Sequence, residues 1–297
     1  MKRFIGVVVG VVVALGVAGF VTLRAVDASG QPATTAAVKV ATSTKTYSMT
    51  VDGLKRSYEV IAPVKVPPKS VPVIVVLGGI GSSASGEASR DDLVPYAGSN
   101  QAEFVYPQGY GESWNAIGCC GAAAAKNVND VAFLQALVAK VDPGHARTVD
   151  VVGYSNGARM AYRVACDDPG LFDGYAMVKG GPTPGCTLRK PVTLLQIAAS
   201  DDPEIPYQPG DKGIEPLPMT TLVSDLHATD KCTVKSLVTH SGTMVLSTWP
   251  TCGNGTRLAF AVWSVGVHSF PRPPASVPAA SQVIMAFFTK TALAPLP

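Results

Sequence analysis

Residues 148–166 read TVDVVGYSNGARMAYRVAC, and this stretch decides the fold. Its first part is a short β-branched run typical of a strand buried on both faces, and its last part has the composition of a helix. Between them lies the pentapeptide GYSNG, residues 153–157. A GxSxG sequence between a strand and a helix predicts a sharp turn that lifts Ser155 to the helix N-terminus. Backbone N–H groups and the helix dipole favour a developing oxyanion there, so the pattern predicts a nucleophilic serine.

Strands and helices alternate along the rest of the chain. Strands are predicted near 57–62, 71–77, 103–106, 148–153, 175–178, 192–198, 236–239, 244–249 and 258–264, and helices near 128–141, 155–166, 220–228 and 278–291. This alternation predicts an α/β protein with a mostly parallel central sheet and helices on both faces, which together with the serine turn is the α/β-hydrolase fold. A doubly wound nucleotide-binding sheet is the alternative, but no GxGxxG follows the first buried strand.

Three of these strands are expected to pair antiparallel to their neighbours. The run 57–62 alternates in hydrophobicity as an antiparallel edge strand does. The two runs between 234 and 249 are interpreted as a small antiparallel addition.

A serine hydroxyl is a poor nucleophile and needs a base oriented by a third group. In α/β-hydrolases the chain order is serine, acid, histidine, and the chain holds only four histidines. His145 precedes the serine, whereas His227 and His240 are interpreted as structural. His268 follows the predicted strand LAFAVWSV near the C-terminus, so we expect it to be the base.

The acid is expected where the predicted strand VTLLQIA ends. Asp201 and Asp202 both lie just beyond that end, and the C-terminal ends of parallel strands are where such sheets concentrate their chemistry. Aspartate also caps turns. From these residues alone, one aspartate caps the turn and the other is catalytic, and either can take either role.

The N-terminus has the pattern of an export signal. Lys2 and Arg3 precede an uncharged, mostly apolar run from Phe4 to Leu23. The run is just long enough to span a bilayer, and Val26-Asp27-Ala28 offers a cleavage site, so removal and retention as an anchor both stay open. We therefore predict a signal peptide or membrane anchor over residues 1–28 and a secreted or extracytoplasmic location.

Composition sets the class of the remaining chain. With 297 residues, 47% of them hydrophobic and 15% charged, it can bury the core of one large globular domain. Residues 29–46, small and polar without apolar periodicity, are interpreted as a flexible linker before a domain at 47–297. Without residues 1–28 the net charge of +3 falls to +1, which gives no reason to expect a nucleic-acid partner.

The six cysteines agree with export. An even number in an exported chain predicts disulfides, and no CxxC or CxxH spacing argues for zinc. Cys232 with Cys252, around a predicted hairpin, is the favoured pair, and Cys166 with Cys186 is plausible. The partners of the adjacent Cys119 and Cys120 stay open.

The chain resembles the exported polyhydroxybutyrate depolymerase and feruloyl esterase-like family of α/β-hydrolases over roughly residues 50–290. The motifs that carry the resemblance are VYPQG (105–109), SWN (113–115), CCG (119–121), VNDVAFLQALV (128–138), GYSNGARMAYRVAC (153–166), DPEIPY (202–207) and His268. Their joint occurrence is far more specific than GxSxG alone. In this family the Asp-Pro-x-x-Pro-Tyr segment carries the acid, so the resemblance implies Asp202 as the acid of the triad.

The resemblance also implies further site residues. The first oxyanion-hole N–H is expected from Asn156, after the nucleophile, and the second from the loop after the first buried strand, at Ile80. Where the family usually has a His-Gly pair in that loop, this chain has Gly78-Gly79. Trp114 and Tyr207 are expected to contact substrate, with packing inside a loop as the alternative reading. The same two readings, substrate contact or packing, apply to Phe270.

These residues together predict a serine esterase that acts through an acyl-enzyme, with no metal or organic cofactor. The expected partner is a small or oligomeric ester, such as a hydroxyalkanoate oligomer or a feruloyl or acetyl ester. A membrane is expected only through an uncleaved N-terminal segment. Three alternatives stay open: a weakly active or inactive envelope binding protein, an envelope acyltransferase, and, less favoured, a peptidase.

Overall fold

A computed structural model gives the fold of this chain and describes residues 42–64, 71–182, 185–213, 217–233, 236–264 and 266–293. The predicted export segment 1–28 and most of the predicted linker lie outside these described residues. Within the described ranges, no helix is both long enough and apolar enough to cross a membrane.

The described residues form ten strands and seven α-helices. The strands are β1 (Thr42–Val51), β2 (Leu54–Pro63), β3 (Val73–Leu77), β4 (Glu103–Pro107), β5 (Val149–Tyr154), β6 (Gly174–Val178), β7 (Leu194–Ala199), β8 (Leu237–Ser241), β9 (Met244–Trp249) and β10 (Leu258–Trp263). The helices are α1 (Ala84–Ala88), α2 (Val94–Gly98), α3 (Gly121–Ala125), α4 (Asp130–Val141), α5 (Asn156–Asp167), α6 (Met219–Thr229) and α7 (Ala280–Thr289).

All ten strands belong to one sheet in the order β1-β2-β4-β3-β5-β6-β7-β10-β9-β8. The six central strands, from β4 to β10, are parallel to one another. Two antiparallel strands flank them at each side. The predicted mostly parallel sheet is confirmed, and it brings the C-terminal ends of β3, β5, β6, β7 and β10 to one edge.

The sheet is buried on both faces because its central strands are apolar at consecutive positions. In β3, Val73 and Val75 join one hydrophobic cluster with residues of α4, α5 and α6. Ile74 and Val76 join a second cluster with residues of α1, α2 and α7. Successive side chains of a strand point to opposite faces, so helices cover both faces as predicted.

The predicted linker ends earlier than expected, because β1 already begins at Thr42 and not after residue 46. It pairs antiparallel with β2 through the turn at Asp52 and Gly53, whose φ angles of 50° and 75° suit an Asp-Gly hairpin. As an edge strand with mostly exposed side chains, β1 has no buried face that would give an apolar periodicity. It is therefore β1, and not β2, that forms this edge of the sheet.

At the other side of the sheet, β8 and β9 form the antiparallel addition predicted between 234 and 249, and β9 pairs with β10. The disulfides Cys232–Cys252 and Cys166–Cys186 are present as predicted. The remaining disulfide joins the neighbours Cys119 and Cys120, which the sequence left open.

Candidate active site

Ser155 lies at the sharp turn between β5 and α5. Its φ of 52° and ψ of −117° are unusual for a residue with a side chain, and such strain concentrates at functional sites. The Ser155 N–H donates to the carbonyl of Val178 at 2.9 Å, which ties the turn to the end of β6. The structure thus forms the nucleophile elbow that the GxSxG pattern predicts.

The two glycines of the elbow are required by close backbone packing. A Cβ at Gly153 would lie 2.4 Å from the carbonyl oxygen of Gly157. A Cβ at Gly157 would lie 2.1 Å from the carbonyl oxygen of Leu77, at the end of β3. Both distances are far below van der Waals contact, and the obstructing atoms are backbone.

Replacing Gly157 by Ala is expected to destabilise the protein by roughly 3 kcal/mol, because the overlap with Leu77 forces backbone to move. For a domain of this size, that corresponds to a fall in Tm of roughly 6 to 12 °C. Thermal melting of the full chain, followed by circular dichroism, measures it. The control is Gly170→Ala, where an added Cβ meets nothing within 4 Å and no change is expected. Equal Tm values for the two variants would contradict the packing argument.

The structure brings Ser155, His268 and Asp202 together from three different loops. The Ser155 Oγ is 2.9 Å from the His268 Nε2. The His268 Nδ1 is 3.2 Å and 3.1 Å from the two carboxylate oxygens of Asp202. These are hydrogen-bond distances, and their sequence is the one that a nucleophile, a base and an orienting acid need.

Asp202 is buried, but several hydrogen bonds and one positive charge stabilise its carboxylate. Its Oδ1 accepts the backbone N–H groups of Glu204 at 2.9 Å and Ile205 at 3.1 Å. Burial alone would raise the pKa of this carboxyl, but the hydrogen bonds from His268 and Glu204 and the charge of Lys179 outweigh it. They hold the pKa of Asp202 below its ordinary value. The carboxylate therefore stays ionised at neutral pH and can orient His268.

The loop after β3 passes directly beside the serine. A Cβ at Gly79 would lie 3.4 Å from the Cβ of Ser155 and 3.0 Å from the ring of Tyr154, so the loop has no room for a side chain there. The next residue, Ile80, exposes its side chain, with 54% of its surface accessible. The oxyanion roles of the backbone N–H groups of Ile80 and Asn156 remain predictions.

Trp114 is packed inside the protein, which is the alternative reading that the sequence left open. Its side chain is buried, its Nε1 donates to the carbonyl of Gly78 at 3.0 Å, and its ring stacks on Phe133. The side chain of Asn156 holds the same loop, since it accepts the Trp114 N–H at 2.7 Å and donates to the Trp114 carbonyl at 3.1 Å. The Trp114 side chain points inward because its indole N–H donates to the carbonyl of Gly78, and this hydrogen bond holds the loop that leads to Ile80.

Tyr207 and Phe270 occupy different surroundings. Tyr207 is partly buried, stacks on Phe260 and lines a cavity of about 340 Å³ whose lining does not include Ser155. Phe270 is buried against the ring of Tyr154, with 5.4 Å between the ring centres. Phe270 and Tyr154 also line a larger cavity of about 710 Å³ that borders His268. A role for Tyr207 in substrate binding remains a prediction.

Two residues that touch the site were not identified from the sequence. Tyr154, the second residue of the pentapeptide, donates its hydroxyl to the carbonyl of His268 at 2.7 Å. Lys179 follows β6 and contacts Asp202, with 3.4 Å between its Nζ and the Asp202 Oδ2. A lysine directly after the apolar run GYAMV marks Lys179 as a residue at the end of a predicted strand, but it does not indicate which residues Lys179 contacts.

Part of the chain is similar in sequence to curated proteins that are named as esterases. No protein-family model matches the chain. The esterase candidate NocK of Nocardia uniformis subsp. tsuyamanensis is 31% identical over 176 residues, which are 56% of this chain and 50% of that protein. Feruloyl esterase C of Emericella nidulans is 28% identical over 155 residues, 48% of this chain and 53% of that protein. The chain spans about half the length of these curated relatives.

Among solved structures, the acetyl xylan esterase from Aspergillus awamori aligns with 82% of this chain and 99% of its own chain, at a TM-score of 0.57 and 13% identity. At that identity the likeness concerns the fold alone. Together with the sheet order and the serine turn, it shows that this chain has the α/β-hydrolase fold.

Proposed function

We propose that this chain is a serine hydrolase that cleaves carboxylic esters through an acyl-enzyme. The observation that carries the proposal is the hydrogen-bonded sequence from Ser155 Oγ to His268 Nε2 and from His268 Nδ1 to Asp202, built on a strained elbow. The esterase names of the matched curated relatives support the same class of reaction.

The first half of the reaction forms the acyl-enzyme. His268 takes the proton of the Ser155 hydroxyl, and the Oγ attacks the carbonyl carbon of the ester. The backbone N–H groups of Asn156 and Ile80 stabilise the tetrahedral oxyanion. His268 then gives its proton to the departing alkoxide, so the bond from the carbonyl carbon to the alcohol oxygen breaks and the alcohol leaves.

The second half releases the acid. His268 removes a proton from a water molecule, which attacks the acyl carbon, and Ser155 regains its proton as the carboxylic acid departs. Asp202 keeps the imidazole in the orientation and tautomer that both halves need. No metal or organic cofactor takes part in these steps.

The surroundings of the serine favour an ester with an apolar part. Ile80 is exposed in the loop beside Ser155. Its side chain also lies close to Gly121, the residue that follows the Cys119–Cys120 disulfide, because a Cβ built on Gly121 would be 3.2 Å from the Ile80 Cδ1. We propose short hydroxyalkanoate oligomers or feruloyl or acetyl esters as the substrate class. The family resemblance and the name of the matched feruloyl esterase support this choice.

We further propose that the enzyme acts outside the cytoplasm. Its three disulfides persist in oxidising compartments, and the N-terminal sequence has the pattern of an export signal. Membrane attachment, where the segment is not cleaved, is through that segment alone.

The test is hydrolysis of p-nitrophenyl acetate, butyrate and octanoate by the full, oxidised chain, before and after treatment with a fluorophosphonate. We expect turnover of at least one ester and complete loss on labelling of one serine per chain. The preference among the three acyl lengths then measures how much apolar surface the acyl group contacts.

Other outcomes would select another function. A folded chain that neither turns over these esters nor reacts with the fluorophosphonate would be a binding protein with a hydrolase fold. A chain that transfers the acyl group to an added alcohol faster than to water would be an acyltransferase.

A further inference from the structure

Lys179 is a buried lysine beside Asp202 and the loop of His268. It follows β6, between Val178, whose carbonyl accepts the Ser155 N–H, and Gly180, where a Cβ would lie 2.7 Å from the Ser155 carbonyl oxygen. Only 1% of its surface is accessible. Its backbone has a φ of 50°, a left-handed conformation that lysine rarely adopts.

The ammonium group of Lys179 touches both loops that complete the site. Its Nζ is 3.4 Å from the Asp202 Oδ2 and donates a hydrogen bond to the carbonyl of Val267, the residue before His268. A Cβ at Gly266 would lie 3.4 Å from the same Nζ, so the loop rests directly on it. One cation therefore links the acid loop to the histidine loop.

Even when it is paired and hydrogen-bonded, as Lys179 is, a buried ammonium group can lose more free energy by desolvation than it gains from its partners. An apolar side chain of similar length would fill this space without that cost. The lysine also adopts a left-handed backbone. A cost in both burial and conformation at one residue, in contact with the acid and the histidine loop, indicates a function beyond packing.

We propose that Lys179 is a positioning residue, which holds Asp202 and the turn at Val267 and His268 in the arrangement that proton transfer from Ser155 needs. This inference rests on the proposed esterase function. Lys179 does not touch the reacting atoms and acts through Asp202 and His268. Tyr154 also donates to the His268 carbonyl at 2.7 Å, so two side chains hold the histidine loop by hydrogen bonds.

The charges around Lys179 determine the sign of its effect. Asp202 contacts it, Asp201 acts on it from the same loop, and Glu87, Arg90 and Arg272 line the cavity that Lys179 also borders. Burial lowers the pKa of Lys179, while Asp202 and Asp201 oppose that change.

The Asp202–His268 pair also faces Glu204, whose Oε2 lies 3.7 Å from the His268 Nε2 and which is unchanged in the variants compared below. Without the cation, the carboxylate of Asp202 loses a buried partner, and the Asp202–His268 pair holds a proton more tightly. A protonated pair cannot accept the proton of Ser155. Removing the positive charge is therefore expected to move the acid limb of the pH–activity profile to higher pH. A residue that served only packing would change the Tm and leave this limb in place.

The test compares Lys179→Met with Lys140→Met in the full chain, using the p-nitrophenyl ester that the unmodified chain turns over best. Lys140 is exposed on α4 and serves as the matched control. We expect Lys179→Met to lower kcat roughly 10- to 100-fold with KM changed less than about threefold, because misplaced groups slow the chemical step. The acid limb is expected to move up by at least about half a pH unit, while Lys140→Met leaves both unchanged.

A double-mutant cycle with Asp202→Asn separates positioning from a general structural effect. If Lys179 acts through Asp202, then adding Lys179→Met to Asp202→Asn lowers kcat less than about threefold. A structural role would give the same 10- to 100-fold factor in both backgrounds and would overturn the proposal. If Lys179→Met fails to fold, the double variant removes both buried charges. Folding of that variant with the activity of Asp202→Asn supports the proposal, and its failure to fold overturns it.

Failure of this inference differs from failure of the proposed function. An unmodified chain with no esterase activity and no reaction with fluorophosphonate contradicts the function. An active unmodified chain whose Lys179→Met variant keeps its kcat and its acid limb contradicts the positioning role alone.

Discussion

Replacing Ser155 by Ala is expected to lower kcat for p-nitrophenyl ester hydrolysis by about 1,000,000-fold, to the background of the assay. The variant keeps the fold but has no oxygen to attack the carbonyl, and His268 then has no proton to remove. In the unmodified chain the Ser155 hydroxyl contacts His268 Nε2 at 2.9 Å. Loss of the hydroxyl therefore also removes a contact that aligns the base. Initial rates and fluorophosphonate labelling of the full chain measure the effect.

The control for this variant is Ser224→Ala, at an exposed position of α6 where alanine suits the helix. It is expected to keep full activity, and both variants are expected to melt within a few degrees of the unmodified chain. Ester hydrolysis that persists in folded Ser155→Ala would show that another group carries the reaction.

Replacing Asp202 by Asn is expected to lower kcat roughly 1,000- to 10,000-fold with little change in KM. The carboxylate accepts hydrogen bonds on every side, from His268 Nδ1 and from the N–H groups of Glu204 and Ile205, and Lys179 Nζ contacts it. An amide must turn its NH₂ toward one of these donors. If it faces His268, it selects the tautomer that cannot accept the proton of Ser155. The variant is compared with the unmodified chain in steady-state kinetics between pH 5 and pH 9.

Asp201→Asn is the matched control, since Asp201 is the adjacent residue and is exposed. It is expected to keep kcat within about twofold, because its side chain lies outside the contacts with His268. The reverse result, in which Asp201→Asn loses activity and Asp202→Asn retains it, would assign the acid to Asp201. The structure argues against that assignment, because both Asp202 oxygens lie within hydrogen-bond distance of His268 Nδ1.

Much of the fold was predictable because its signals are local. The apolar runs of β3, β5 and β7 predict buried strands by composition alone, and the glycines of 153–157 predict a turn because only they fit it. The strand β1 was missed for the same reason, since an exposed edge strand has no buried face to leave a pattern. Its Asp52-Gly53 turn was the only local signal.

The orientation of individual side chains was less predictable. Trp114 fits a substrate pocket by its place in the motif, yet its indole N–H turns inward to the carbonyl of Gly78, 36 residues away. The pairing of Cys119 with Cys120 stayed open for a related reason, since adjacent cysteines can each reach a different partner and only the folded loop selects one.

The sequence by itself determined the α/β class, the serine turn and the histidine, because chain order and local spacing suffice for these. It also selected Asp202 over Asp201 as the predicted acid, although only through the resemblance to a family. Only the tertiary structure decided that Lys179 joins Asp202 to the histidine loop. Lys179 lies 88 residues before Val267 in the chain, and no local pattern encodes a contact at such a separation. That contact exists because parallel strands bring the ends of β6, β7 and β10 to the same edge of the sheet.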